Sequence, residues 1–172
     1  LLRLIAMAAI FMATVGIGQL LLGNGKFLGV YEHPSRDTLH IVRGTFANQN
    51  HFTHFVVLGV GPLMCWLATR RGESAAGGFH GRRRSYARLI TPALAVGLGI
   101  VVFSVLLTFS RGGVAMLLAA SAVTIAALAL TGRIGRRTWI LGAVGVGLLT
   151  VALAVHGREP LTRKLADWAA SR

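Results

Sequence analysis

Residues 89–130 read LITPALAVGLGIVVFSVLLTFSRGGVAMLLAASAVTIAALAL, and Arg111 is the only charged side chain among them. As a single helix this run would extend about 63 Å at about 1.5 Å per residue. That is twice the roughly 30 Å depth of a bilayer core. The run therefore reads as two spans folded back on each other, with Ser110-Arg111-Gly112-Gly113 at the turn. Two glycines permit a tight turn, and the break leaves one guanidinium at one membrane face. A tight antiparallel hairpin with Arg111 at its tip is the expected outcome.

The remaining sequence extends this pattern. Of 172 residues, 54% are hydrophobic and 13% charged, and the apolar residues are gathered in long blocks. This predicts an all-α, polytopic transmembrane helix bundle, a single transmembrane domain over residues 1–172. About five spans are expected, at residues 4–22, 52–67, 89–109, 114–130 and 140–155. Small residues recur through them, among them Gly59, Gly97, Ala115, Ala119 and Gly147, which lets helices approach closely. The 18 basic against 5 acidic residues fall between the apolar blocks, where they orient a membrane protein, so nucleic acid is not an expected partner. Cys65, the only cysteine, lies inside a span, which excludes disulfides and cysteine metal clusters. The first block lacks a following small-residue cleavage site and reads as a span, not a signal peptide. The chain begins at Leu1 and not Met, so it is expected to be a piece of a longer protein.

Orientation follows from the arginines. Residues 70–88 and 131–138 are short connectors holding nine arginines (70, 71, 82, 83, 84, 88, 133, 136 and 137). Such loops belong in the cytoplasm, and Trp66 and Trp139 flank them as interfacial anchors. Residues 23–51 and 110–113 then face outward, carrying only Lys26, Arg36, Arg43 and Arg111 as basic residues. Residues 72–81 are Gly-rich and read as a flexible loop. Residues 156–172 form an outer tail in which Leu161, Leu165, Trp168 and Ala169 share helical spacing, as in an interfacial amphipathic helix. Thr91-Pro92 is a cap-plus-proline start for the third span, and Asn48 or Asn50 a cap for the second.

Two polar constellations thus share the outer face. Ser110-Arg111-Gly112-Gly113 is one; Arg43-Gly44-Thr45-Phe46-Ala47-Asn48-Gln49-Asn50-His51 is the other, with more polar side chains than a connector needs. Arginine suits an anion because its planar fork pairs bidentately with phosphate and keeps its charge. A snorkelling arginine at a helix end is the plainer reading. His51 and His54 share a helix face, but the nearest carboxylates, Glu32 and Asp37, are distant in sequence, and no metal site is expected. No Asp or Glu falls within a span, which argues against proton- or cation-coupled transport and against a metal-assisted transferase using paired acids.

These residues, RGTFANQNHFTHFVVLGVGPL from Arg43, then an arginine-rich loop and a span ending LLTFSRGG, resemble the O-antigen ligase and O-antigen polymerase family of bacterial inner-membrane proteins. The resemblance covers roughly residues 43–130 and rests on Gly-Thr-Phe-x-Asn-x-Asn and Ser-Arg-Gly-Gly in this order. It implies a multi-pass, metal-independent glycosyltransferase without cofactors, active on the periplasmic side. Such enzymes move a glycan from an undecaprenyl-diphosphate-linked donor to a hydroxyl of an acceptor glycan or lipid A-core. By motif, Arg43 and Arg111 would bind the diphosphate, supported by Asn48, Asn50, His51 and Ser110. Family members have about a dozen spans and a large periplasmic loop with a catalytic histidine, by resemblance; His156 does not match it, so the catalytic histidine is expected outside this chain, which would be inactive alone. The alternatives are a transporter or channel subunit for an anionic solute, and a small structural membrane protein.

Overall fold

A computed structural model describes residues 1–22, 42–75, 82–133, 135 and 147, with side chains except at 71–75 and 82–88. Among the described residues all regular structure is helical: α1 (Leu2–Leu22), α2 (Gln49–Val57), α3 (Val60–Ala75), α4 (Arg82–Leu106) and α5 (Arg111–Leu130). Four stretches are long and apolar enough to cross a membrane: Leu2–Leu22, Gln49–Arg70, Leu89–Leu106 and Arg111–Leu130. The all-α membrane fold is thus as expected. The predicted fifth span (apart from Gly147), residues 23–41, Trp139 and the 156–172 tail lie outside the described residues.

Helix α1 is small-in and large-out. In α1 the buried positions are Ala6, Ala9, Ala13 and Gly16, while Leu4, Met7, Phe11, Leu21 and Leu22 are exposed. Lipid tails are as apolar as leucine, so large side chains gain little by turning inward, whereas small ones let backbones close up. A Cβ on Gly59 would clash with that of Ala9, and one on Gly97 would lie 2.6 Å from Ile10 Cδ1. α1 packs on α3 and α4, and α5 packs on α2 and α3. The two arms of the expected hairpin, α4 and α5, share α3 as a partner more than they touch each other. The chain does reverse between them, but the hairpin is not the tight pair expected from adjacency in sequence.

Helix boundaries differ from the hydropathy reading for identifiable reasons. The second span, expected at 52–67, runs over Gln49–Arg70 and is broken at Leu58-Gly59 into α2 and α3. Pro62 accounts for the break: it has no N–H for the Leu58 carbonyl, and its ring crowds that oxygen. Gly59 N instead donates to Val56 O at 3.1 Å, and Leu63 N to Gly59 O at 3.0 Å. α4 begins at Arg82, so Pro92 lies inside the helix and Thr91-Pro92 does not start it. Proline is tolerated in transmembrane helices, and arginine is a good helix former beyond the membrane. The basic 70–88 connector is accordingly helical at both ends, with α3 reaching Ala75.

At the end of the bundle that holds Ser110, α4 stops at Leu106, not 109, and α5 starts at Arg111, not 114. Gly112 and Gly113 therefore lie in the first turn of α5, and the reversal is made by residues 107–110. Phe109 takes the left-handed conformation there at φ 51°. At the opposite end the Arg3 guanidinium sits 5.3 Å from the centre of the Trp66 ring, a cation–π contact that joins the start of α1 to α3.

Candidate functional site

The segment entering α2 is built around Phe52. Val42 is fully buried, and its N–H donates to Leu107 O at 3.4 Å, tying the segment to the end of α4. Gly44 follows at φ +56°, and a Cβ there would approach Phe52 Cε2 to 3.0 Å. Only glycine meets both conditions without strain. The Arg43 carbonyl accepts from Phe46 N at 3.1 Å, closing a turn that brings Phe46 edge-on to Phe52 at 6.2 Å and within 5.6 Å of Phe55. Asn48 then caps α2: its backbone is extended, and its Oδ1 accepts from Asn50 N at 2.9 Å. Of the two asparagines proposed as caps, Asn48 is the one used.

α5 is capped by Ser110. The Ser110 backbone is extended, and its Oγ accepts from Gly113 N at 3.0 Å. The same hydroxyl donates to Asn50 Oδ1 at 2.7 Å. One hydrogen bond therefore joins the two motifs, sixty residues apart in sequence. Below it lies a second polar pair. Thr53 Oγ1 donates to Gln49 O at 2.8 Å and lies 3.2 Å from Thr108 Oγ1. Thr108 Oγ1 donates to Val105 O at 2.7 Å and accepts from Ser110 N at 3.3 Å. Thr53, Thr108 and Ser110 are all buried, and pairing their hydroxyls avoids the penalty for unbonded polar groups in an apolar bundle.

The residues singled out from sequence do not share one environment. Arg43 is only 8% exposed, and its Nε and Nη1 are shielded from solvent. Arg111, the first residue of α5, is exposed, as are Asn50 and His51, while Asn48 is half-buried and Ser110 buried. The structure brings Asn50 and Ser110 into contact and places Arg111 immediately beside that contact. Arg43 is built into the bundle and is not a surface arginine equivalent to Arg111. Sequence reasoning passed over Thr53 and Thr108. Their only sequence trace is position: Thr53 follows Asn50 by three residues, one helical turn, and Thr108 precedes Ser110 by two.

On the outer surface of the bundle, a cavity of about 430 Å³ opens where α2–α3 meets α5. It is lined by His54, Leu58 and Pro62 on one side and Met116, Ala119 and Val123 on the other. His54 is its one ionisable group, and the cavity lies at the Leu58-Gly59 break. Among the described residues no three His, Cys, Asp or Glu side chains group closely enough to hold a metal ion. Comparison with protein-family models, with curated proteins and with solved structures finds no match to this chain.

Proposed function

We propose that this chain belongs to a metal-independent glycan ligase or polymerase of the bacterial inner membrane, similar to O-antigen ligase. In this reading, a glycan passes from undecaprenyl diphosphate to an acceptor sugar hydroxyl on the periplasmic side. The acceptor hydroxyl gives its proton to a base, the histidine that the resemblance places outside this chain, and its oxygen bonds to the anomeric carbon as the bond from that carbon to the diphosphate oxygen breaks. The electron pair leaves with the diphosphate, whose negative charge rises in the transition state. A fixed guanidinium stabilises that charge, and Arg111, exposed at the start of α5, is suited to the role. Arg43, with its guanidinium buried, would act from beneath the site.

The observation that carries this reading is the Asn50–Ser110 hydrogen bond of 2.7 Å. It joins the Gly-Thr-Phe-x-Asn-x-Asn and Ser-Arg-Gly-Gly motifs, which makes them two parts of one constellation. The second reading, a transporter or channel subunit for an anionic solute, is favoured by a different observation. The Gln49–Arg70 span is discontinuous at Leu58-Gly59, and interrupted spans frame the substrate sites of many transporters.

Glycan transfer by the complete protein in membranes, normalised to folded protein, separates these readings. The variants are Arg43→Lys, Arg111→Lys and Arg111→Ala. Arg111→Ala is expected to lose about 100- to 1,000-fold in rate, the range seen when one donor to a developing anion is removed. Lysine should restore little, because it offers a point charge in place of a bidentate fork. Near-normal transfer by Arg111→Ala would mean that this arginine only anchors a helix end.

A further inference from the structure

Two residues of α2 hold the first turn of α5 with matched spacing. Asn50 Oδ1 accepts from Ser110 Oγ at 2.7 Å, and the Thr53 side chain is packed against Gly113. Positions 50 and 53 share a face of α2, and positions 110 and 113 are likewise one turn apart. Ser110 and Gly113 are buried, whereas Arg111 and Gly112, between them, are exposed. The Ser110 oxygen already accepts the Gly113 N–H at 3.0 Å, so its single proton goes to Asn50 Oδ1. Asn48 already caps α2 through its own side chain, and Asn50 is exposed. The Asn50 side chain is therefore needed neither as a cap for its own helix nor as core packing. What its oxygen does is hold the residue that precedes Arg111.

We propose that Asn50 is a positioning residue for Arg111, acting through Ser110 to set the direction in which the guanidinium leaves α5. This rests on the reading of Arg111 as a ligand of the donor diphosphate. Without Asn50, the Ser110 hydroxyl loses its acceptor, its proton is free to turn toward other partners, and the first turn of α5 is held only at Gly113. A misplacement of about 1 Å in a catalytic constellation can cost about 100-fold in rate. A loosened but present arginine costs less than that.

The test is a set of coupled substitutions in the complete protein in membranes. Transfer from a polyprenyl-diphosphate-linked glycan is measured per folded molecule for Asn50→Ala, Asn50→Ser, Ser110→Ala, Arg111→Lys, Arg111→Ala, Asn50→Ala with Ser110→Ala, and Asn50→Ala with Arg111→Lys. Asn50→Ala and Ser110→Ala should each lower kcat about tenfold while leaving the donor KM within about twofold, the pattern of an interaction realised in the transition state. Together they should be no worse than either alone, and Asn50→Ala should add nothing to Arg111→Lys, because coupled residues are non-additive. Asn50→Ser, whose hydroxyl is too short to reach Ser110, should repeat the result and serves if the alanine variant accumulates poorly. If Asn50→Ala and Asn50→Ser change only the amount of folded protein and leave kcat intact, Asn50 is purely structural and the proposal is wrong. Multiplicative losses in Asn50→Ala with Arg111→Lys would also overturn it, since Asn50 would then act apart from Arg111. Unimpaired transfer by Arg111→Ala removes the underlying reading as well. Loss in Arg111→Ala with full activity in Asn50→Ala removes this inference alone.

Discussion

Gly113 lies so close to Thr53 that a Cβ at position 113 would overlap Thr53 Cγ2 and come within 2.9 Å of Thr53 Cβ. This contact, one helical turn below the Asn50–Ser110 bond, sets how near α5 can approach α2. It also gives the Gly112-Gly113 pair a meaning different from a flexible turn. Gly112 has nothing within 4 Å of its would-be Cβ, so the two glycines are not equivalent.

Gly113→Ala is accordingly expected to destabilise the protein by about 1–3 kcal/mol, the usual range for overpacking a close contact. Gly112→Ala should be neutral or slightly stabilising, because alanine is favoured over glycine in a helix by up to about 1 kcal/mol. Thermal unfolding of the two variants in detergent compares them directly. Equal midpoints would show that α5 does not rest on Thr53 as described.

A second contact of the same kind joins α1 to the break between α2 and α3. A Cβ on Gly59 would clash with that of Ala9, and both residues are buried. Gly59→Ala should lower the unfolding midpoint, and Ala9→Gly in the same molecule should recover part of the loss by vacating the space. Additive losses in the double variant would contradict the contact, since residues that share a site are expected to couple.

Gly44→Ala is expected to be costly for two independent reasons. Its φ of +56° is unfavourable for an L side chain, at about 1–2 kcal/mol. Its Cβ would also press on Phe52. Phe52→Leu should therefore relieve only the second part, and the midpoint of Gly44→Ala/Phe52→Leu should stay below that of Phe52→Leu alone. A Gly44→Ala variant as stable as wild type would show that the turn before α2 is not held in the left-handed conformation.

Orientation in the membrane is open to a direct measurement. Gly112 and Gly135 are exposed and lie beyond opposite ends of the apolar part of α5, about 30 Å apart along a helix of this length. In a background of Cys65→Ala, Gly112→Cys should react with a membrane-impermeant thiol reagent added outside intact cells, and Gly135→Cys should not. Neighbouring Ser110 is unsuited to labelling, because its side chain is buried and already hydrogen-bonded. Labelling of Gly135→Cys alone would invert the topology inferred from the arginine distribution.

Much of the fold was legible along the chain because hydropathy is a local property. Charge-free runs of bilayer length predicted the helices, and all four candidate spans fall where those runs lie. The reversal around Ser110 and an asparagine cap at position 48 or 50 were legible for the same reason, since each depends on residues within one helical turn; the structure uses Asn48. The break at Leu58-Gly59 was not foreseen, although its cause, Pro62 four residues further on, stands in the sequence. A proline at that distance is compatible with either a continuous or an interrupted span, and packing of Gly59 on Ala9 accompanies the second outcome.

By itself the sequence determined the class of the molecule and the order of the described spans. The tertiary structure alone decided that Asn50 meets Ser110, that Thr53 meets Thr108 and Gly113, and that Arg43 is enclosed while Arg111 is exposed. The physical reason is rotational. α1 and α5 are apolar all round, so no hydrophobic stripe announces which face each turns inward. That rotation is set by where small residues let backbones close together and where hydroxyls find partners on another helix. Those conditions involve residues 55 and 60 positions apart, and they are met only once the helices are packed.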